Sequence, residues 1–150
     1  MELAYRYFGG EGKPPLIILH GLLGSSRNWT TVGKALADDF EVFALDLRNH
    51  GDSPHDANMQ FGALADDLRQ FMDEREIPHA FIMGHSLGGK VAMRFAVESR
   101  QRVDALIVVD IAPKIYPAHN LLEFEAMNGL ELSAVHSRKE AEDALAEDVP

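Results

Sequence analysis

The stretch Phe81-Ile-Met-Gly84-His85-Ser86-Leu87-Gly88-Gly89 decides the fold. Ahead of it, the apolar run from Ala80 to Gly84 reads as a buried strand, and behind it Leu87 to about Glu98 reads as a helix. Between them lies G-x-S-x-G, where the chain must turn sharply. A serine at the tip of so tight a turn takes a strained backbone, and the residues two before and two after it must lack side chains if the chain is to pass itself. Gly84 and Gly88 supply that room. The turn lifts the Ser86 hydroxyl clear of the sheet and leaves the free N–H groups of a helix N-terminus beneath it, so an anionic tetrahedral intermediate would be stabilised there. An ordinary glycine turn with an incidental serine spells the same three letters. The neighbouring segments therefore have to decide.

Outward from the turn, short apolar runs alternate with helix-like stretches, the pattern of a mostly parallel sheet flanked by helices, an α/β fold. Leu3 to Phe8 reads as a first strand, a glycine- and proline-rich turn follows, and Leu16–His20 reads as a buried strand. A helix is expected from about Trp29 to Asp38, a strand over Glu41–Asp46, and an amphipathic helix from about Phe61 to Arg75. Ala105–Asp110 reads as the strand after the Ser86 unit. From Ile115 onward no strand-like run recurs, only acidic, weakly amphipathic helices such as LLEFEAMNGLEL and SRKEAEDALAED. The expected organisation is an N-terminal core over 1–113 and the start of a helical lid over 114–150. A sheet this small also implies further strands beyond residue 150.

Composition narrows the function classes. A chain of 150 residues, 46% of them hydrophobic, suits one globular domain. Without cysteine there is no disulfide, no thiolate metal site and no cysteine nucleophile. No apolar run approaches the ~20 residues of a membrane span, and the N-terminus lacks a basic-then-apolar signal pattern, so a cytoplasmic protein is expected. The net charge of −10 opposes nucleic acid and anionic lipid surfaces as partners. Residues 121–150 hold eight acids and two bases, which reads as a solvated helix face.

Two other segments bear on chemistry. In His20-Gly21-Leu22-Leu23-Gly24-Ser25, a loop held open by glycines follows a buried strand and can turn a backbone N–H toward Ser86. Leu22 and Leu87 N–H groups are the candidate oxyanion hole, a kind of donor whose single loss costs ~10²–10³ in rate in other enzymes. Gly21, Gly84 and Gly88 are the glycines that make the loop and the turn possible, and His20 is read as structural. In the second segment, Asp46-Leu-Arg48-Asn-His50-Gly51-Asp52-Ser53-Pro54-His55, Asp46, Arg48 and Asp52 are expected to tie a wide turn together by charge-assisted hydrogen bonds. His50, Asp52 and His55 offer no evident metal geometry, so no metal site is expected.

Taken together, HGLLGSS, DLRNHGDSPH, GHSLGGKVAM and VVDIAP resemble the alpha/beta-hydrolase superfamily, and most closely its YbfF-like bacterial carboxylesterases, over about residues 3–118. The resemblance implies that strand 16–20 lies beside strand 80–84 at a topological switch point, with the crevice between His20 and Ser86. It also implies a triad in the chain order serine, acid, histidine. Asp110, at the end of its strand, is the candidate orienting acid, while Asp104 lies at the strand's opposite end and is discounted. By the same resemblance the catalytic histidine follows the last strand of the fold and is not in this chain. His119 and His136 are weak substitutes, and His85 is too close to Ser86 along the chain to serve as its base. Loss of the base alone costs roughly 10⁶ in a related triad, so the 150 residues by themselves are expected to be nearly inert.

The implied reaction is acyl transfer from a small-molecule ester or thioester through an acyl-enzyme, with no metal or organic cofactor. Serine at the elbow, where aspartate would be needed, argues against dehalogenase and epoxide-hydrolase chemistry. The same elbow also suits a carbon–carbon hydrolase, a perhydrolase or a lyase. A non-catalytic small-molecule binding or interaction module is the alternative from another class, favoured by the missing base. Tyr116, Leu121, Leu122, Phe124 and Met127 are the candidate apolar lining of a lid.

Overall fold

The computed structural model describes residues 1–116 and 121–146, which form two compact units, Met1–Pro113 and Lys114–Pro150. The first unit is built on five strands, β1 (Tyr5–Gly9), β2 (Pro15–Leu19), β3 (Glu41–Leu45), β4 (Ala80–His85) and β5 (Val103–Val109), in the order β1-β3-β2-β4-β5. β1 runs antiparallel to β3, with a bulge between Tyr7 and Gly9, and the other pairings are parallel. The alternation of strands and helices thus gives the mostly parallel sheet that the sequence predicts.

Helices cover both faces. Alternate residues of β2 and β3 point to opposite layers. Ile17, Leu19, Phe43 and Leu45 pack under α2 (Phe61–Glu74) and α3 (Leu87–Glu98), while Leu16, Ile18, Val42 and Ala44 pack on the side of α1 (Thr30–Leu36). Strands buried on both faces read as continuous apolar runs, which is why LIIL and VFAL carry no polar alternation. α2 contributes Leu64, Leu68, Phe71 and Met72 at helical spacing, each buried. Burial of side chains of this size contributes roughly 1.5–3 kcal/mol apiece.

The helix expected from Trp29 begins one residue later. Ser26–Trp29 is a 3-10 turn, and the α-helix runs only from Thr30 to Leu36. It stops short of the expected Asp38 because the N–H groups of Asp39 and Phe40 both return to Leu36 O, at 3.0 and 2.9 Å, and turn the chain into β3. Lys13 Nζ closes its exposed end, donating to the carbonyls of Ala37 and Asp38 at 2.8 Å each.

The second unit contains α4 (Leu121–Gly129) and α5 (Arg138–Leu145), in keeping with the helical, acidic character of this stretch. Ser137 caps α5 by accepting the Glu140 N–H, and Arg138 meets Glu142 one turn on at 2.8 Å. Among the described residues no helix is long and apolar enough to cross a membrane.

Candidate active site

β2 and β4 are neighbours, yet the chain leaves β2 toward β3 on one side and leaves β4 toward β5 on the other, so a crevice opens at their carboxyl ends. Ser86 sits at that point with φ 48° and ψ −110°, outside the regions ordinary residues occupy. Two hydrogen bonds explain the conformation. Its N–H donates to Val109 O at 3.0 Å, continuing the β4–β5 ladder, while its carbonyl accepts from Lys90 N–H at 3.1 Å, the first bond of α3. The same residue thus ends the strand and opens the helix with no linker between them, and it does so at positive φ.

The glycines are fixed by close approach. A Cβ on Gly84 would be driven into the Gly88 carbonyl, and one on Gly88 would stand 2.6 Å from His20 O and closer still to Leu19 O. Gly88 N–H donates to His20 O at 3.0 Å, so the first turn of α3 rests directly on the end of β2. Gly21 faces the elbow itself, since a Cβ there would lie 2.7 Å from His85 Nδ1 and 3.4 Å from Ser86 Cβ. Gly24 N–H closes the 21–24 turn on Gly21 O at 3.0 Å, with Leu23 at φ 58° and the side chains of Leu22 and Leu23 exposed. Leu87, the first residue of α3, is partly buried against the core.

His20 is buried and held by backbone, as the sequence predicts for a structural residue. Its Nε2 is 3.0 Å from Leu47 N, its Nδ1 is 2.7 Å from Gly21 O, and its ring lies 5.0 Å from that of His50. Burial pushes the His20 imidazole below its ordinary value and the nearby His50 adds to this, against the opposing pull of the Gly21 carbonyl and Asp46.

Asp46 and Asp52 do share a turn. Asp46 Oδ2 accepts Asp52 N–H at 3.0 Å and its Oδ1 reaches Ser26 N–H at 2.6 Å, joining the exits of β3 and β2. Burial alone would raise this carboxyl, but the hydrogen bonds from Asp52 and Ser26 hold it below the usual aspartate range. Arg48 departs from the expectation. It reaches neither of these carboxylates and pairs with Asp67 on α2, Nε to Oδ2 at 2.6 Å and Nη2 to Oδ1 at 2.7 Å. Two carboxylate oxygens matched to a planar guanidinium explain that preference. The signal was an aspartate among the apolar residues of an amphipathic helix.

Asp110 follows β5 with φ 57° at the same end of the sheet as Ser86. Its side chain is 83% exposed and its Oδ2 lies 3.6 Å from His85 Nε2. Asp104 faces away at the other end, against His79 at 2.7 Å. His119 lies outside the described residues, as do the side chains of Leu121 and Leu122. A cavity of about 460 Å³ opens beside the elbow, lined by the 20–24 loop, Asn28, Trp29, Val32 and His85. Asn28, Trp29 and Val32 were not among the expected lining residues. Their closeness to HGLLG in the chain, within the next turn and helix, was the available clue.

Residues 14–137 match the alpha/beta hydrolase fold family, and the chain belongs to it. It is 37% identical over 128 residues to the esterase YbfF of Escherichia coli, covering 85% of this chain and 50% of that protein. It is 40% identical over 116 residues to the sn-1-specific diacylglycerol lipase ABHD11 of Xenopus laevis, covering 75% and 37%. A solved marine microorganism esterase superposes with a TM-score of 0.90 at 39% identity, covering 99% of this chain and 59% of that one. The chain thus spans half or less of the length of these two curated relatives.

Proposed function

We propose that this chain carries the nucleophile of a carboxylic ester hydrolase that works through an acyl-enzyme. The observation that supports the reading most is Ser86, in a left-handed turn between β4 and α3 with the Gly21 loop beside it. Ser86 Oγ attacks the carbonyl of an ester or thioester. The oxyanion that develops takes hydrogen bonds from Leu22 and Leu87 N–H, reinforced by the positive end of α3. A histidine accepts the serine proton and passes it to the departing alcohol or thiol, and Asp110 orients that histidine. Water, deprotonated by the same base, then releases the carboxylic acid and restores Ser86. Exposure of the Asp110 carboxylate fits a group waiting for this partner, and residues 114–150 are read as the beginning of a helical lid.

The test is Ser86→Ala in the intact protein, assayed with p-nitrophenyl butyrate and a fluorophosphonate probe. Turnover is expected to fall by ~10⁴-fold or more and probe labelling to vanish. The melting temperature should hold or rise, because the variant removes a polar group from the site. Retained turnover would exclude Ser86 as the nucleophile.

A further inference from the structure

We infer that the edge of the sheet around Tyr7 is a binding site for a small free organic cation, an alkylammonium or quaternary ammonium ion, held on the Tyr7 ring and balanced by the carboxylates of Glu11 and Glu41. The inference is independent of Ser86, which lies at the carboxyl ends of the parallel strands, whereas Glu41 opens β3 at the amino end.

The sequence Tyr5-Arg6-Tyr7 puts two aromatic rings on one face of β1, because alternate residues of a strand share a face. Phe43 on β3 is the register partner of Tyr7, and the two ring centres lie 5.1 Å apart with the planes 37° from parallel. Tyr5 in turn meets Phe71 of α2 edge-on at 5.4 Å. Phe43 and Phe71 are buried, but Tyr7 is 46% exposed. A hollow of about 390 Å³ opens over this edge, lined by Tyr5, Tyr7, Phe43, Glu11, Glu41 and Arg75.

The molecule already places a cation on these rings. Arg75, just past the end of α2, lays its guanidinium over Tyr5 at 4.1 Å from the ring centre and reaches within 5.3 Å of that of Phe71. Among the described residues Arg75 forms no ion pair, and neither does Glu11 or Glu41, although all three line one hollow. Two carboxylates against one guanidinium leave one negative charge in excess, and an anionic ligand would meet it. The Tyr7 hydroxyl donates to Glu41 Oε1 at 3.3 Å, which makes the ring richer in electrons and its face a better partner for positive charge. Arg75 covers Tyr5 and leaves the Tyr7 ring open, so a second cation has a ring and two carboxylates to itself and only Arg75 to oppose it.

The probe is tetramethylammonium chloride, titrated into the intact ¹⁵N-labelled protein at constant ionic strength with sodium chloride making up the balance. Saturable shifts centred on Tyr7, Glu11 and Phe43 are expected, with Kd in the millimolar range. tert-Butanol, neutral and of similar shape, should give no saturable shifts at the same concentrations. Tyr7→Leu keeps the apolar bulk without the aromatic face and should weaken binding ~3-fold or more, as should Glu41→Gln. Arg75→Gln should tighten it by removing the like charge. Equal binding of tert-butanol would reduce the site to an apolar contact and overturn the inference. Shifts that never saturate, or weaker binding in Arg75→Gln, would overturn it too. The tert-butanol comparison needs no variant, so the inference can fail even if Tyr7→Leu does not fold.

Discussion

At the scale of single residues, His20 carries a measurable cost in acid. Its folded-state value lies below the ordinary ~6.5, chiefly through burial, so the folded protein binds fewer protons there than the unfolded chain does. The stabilisation is therefore complete above about pH 6.5 and is lost as the pH falls through the window beneath it. Thermal melts between pH 7 and pH 5 should show a falling melting temperature, with the slope reduced in His20→Gln. Asp46 acts in a separate window. Its lowered value stabilises the fold above the ordinary aspartate value of about 3.9 and loses effect only as the pH drops from there through its folded value.

Elements show where sequence reading succeeds and where it stops. The strands and the elbow were legible because each demand is local: a buried strand needs an unbroken apolar run, and Gly84 and Gly88 are required by atoms a few residues away or on the adjoining strand end. The bond between Arg48 and Asp67 was not legible, because it joins a loop to a helix across 19 positions and nothing in either segment names the other. Both side chains are buried, with relative exposures of 8% and 2%. Asp67→Ala would take from the buried guanidinium its bidentate carboxylate and from the Met1 ammonium its 2.7 Å contact, and a loss of ~3–5 kcal/mol is expected in chemical denaturation. Arg48→Met combined with Asp67→Leu should recover much of that loss, since replacing both charges removes the uncompensated one. A double variant as unstable as Asp67→Ala would show that packing around the pair, and not the orphaned charge, sets the cost.

For the whole molecule, the ends of the sheet differ in character. β1 closes one side with an antiparallel, bulged strand, whereas β5 is the last strand at the other side among the described residues and exposes Leu106 and Ile107. Val97 on α3 is also exposed. An open strand edge flanked by apolar side chains is a template for association. Produced as these 150 residues, the chain should self-associate with rising concentration, and Ile107→Lys should shift sedimentation toward the monomer. Identical sedimentation of the two would place the contact elsewhere.

If the proposed ester hydrolysis holds, the backbone-to-backbone seam at Gly84, Gly88 and the end of β2 has a practical corollary for altering which esters are accepted. With no side chain interposed there, the floor carrying Ser86 has nothing to trim and nowhere to grow. An engineer wanting larger or smaller acyl groups should leave that floor alone and randomise Leu22, Leu23, Trp29 and Val32, which line the neighbouring hollow without bearing on the seam.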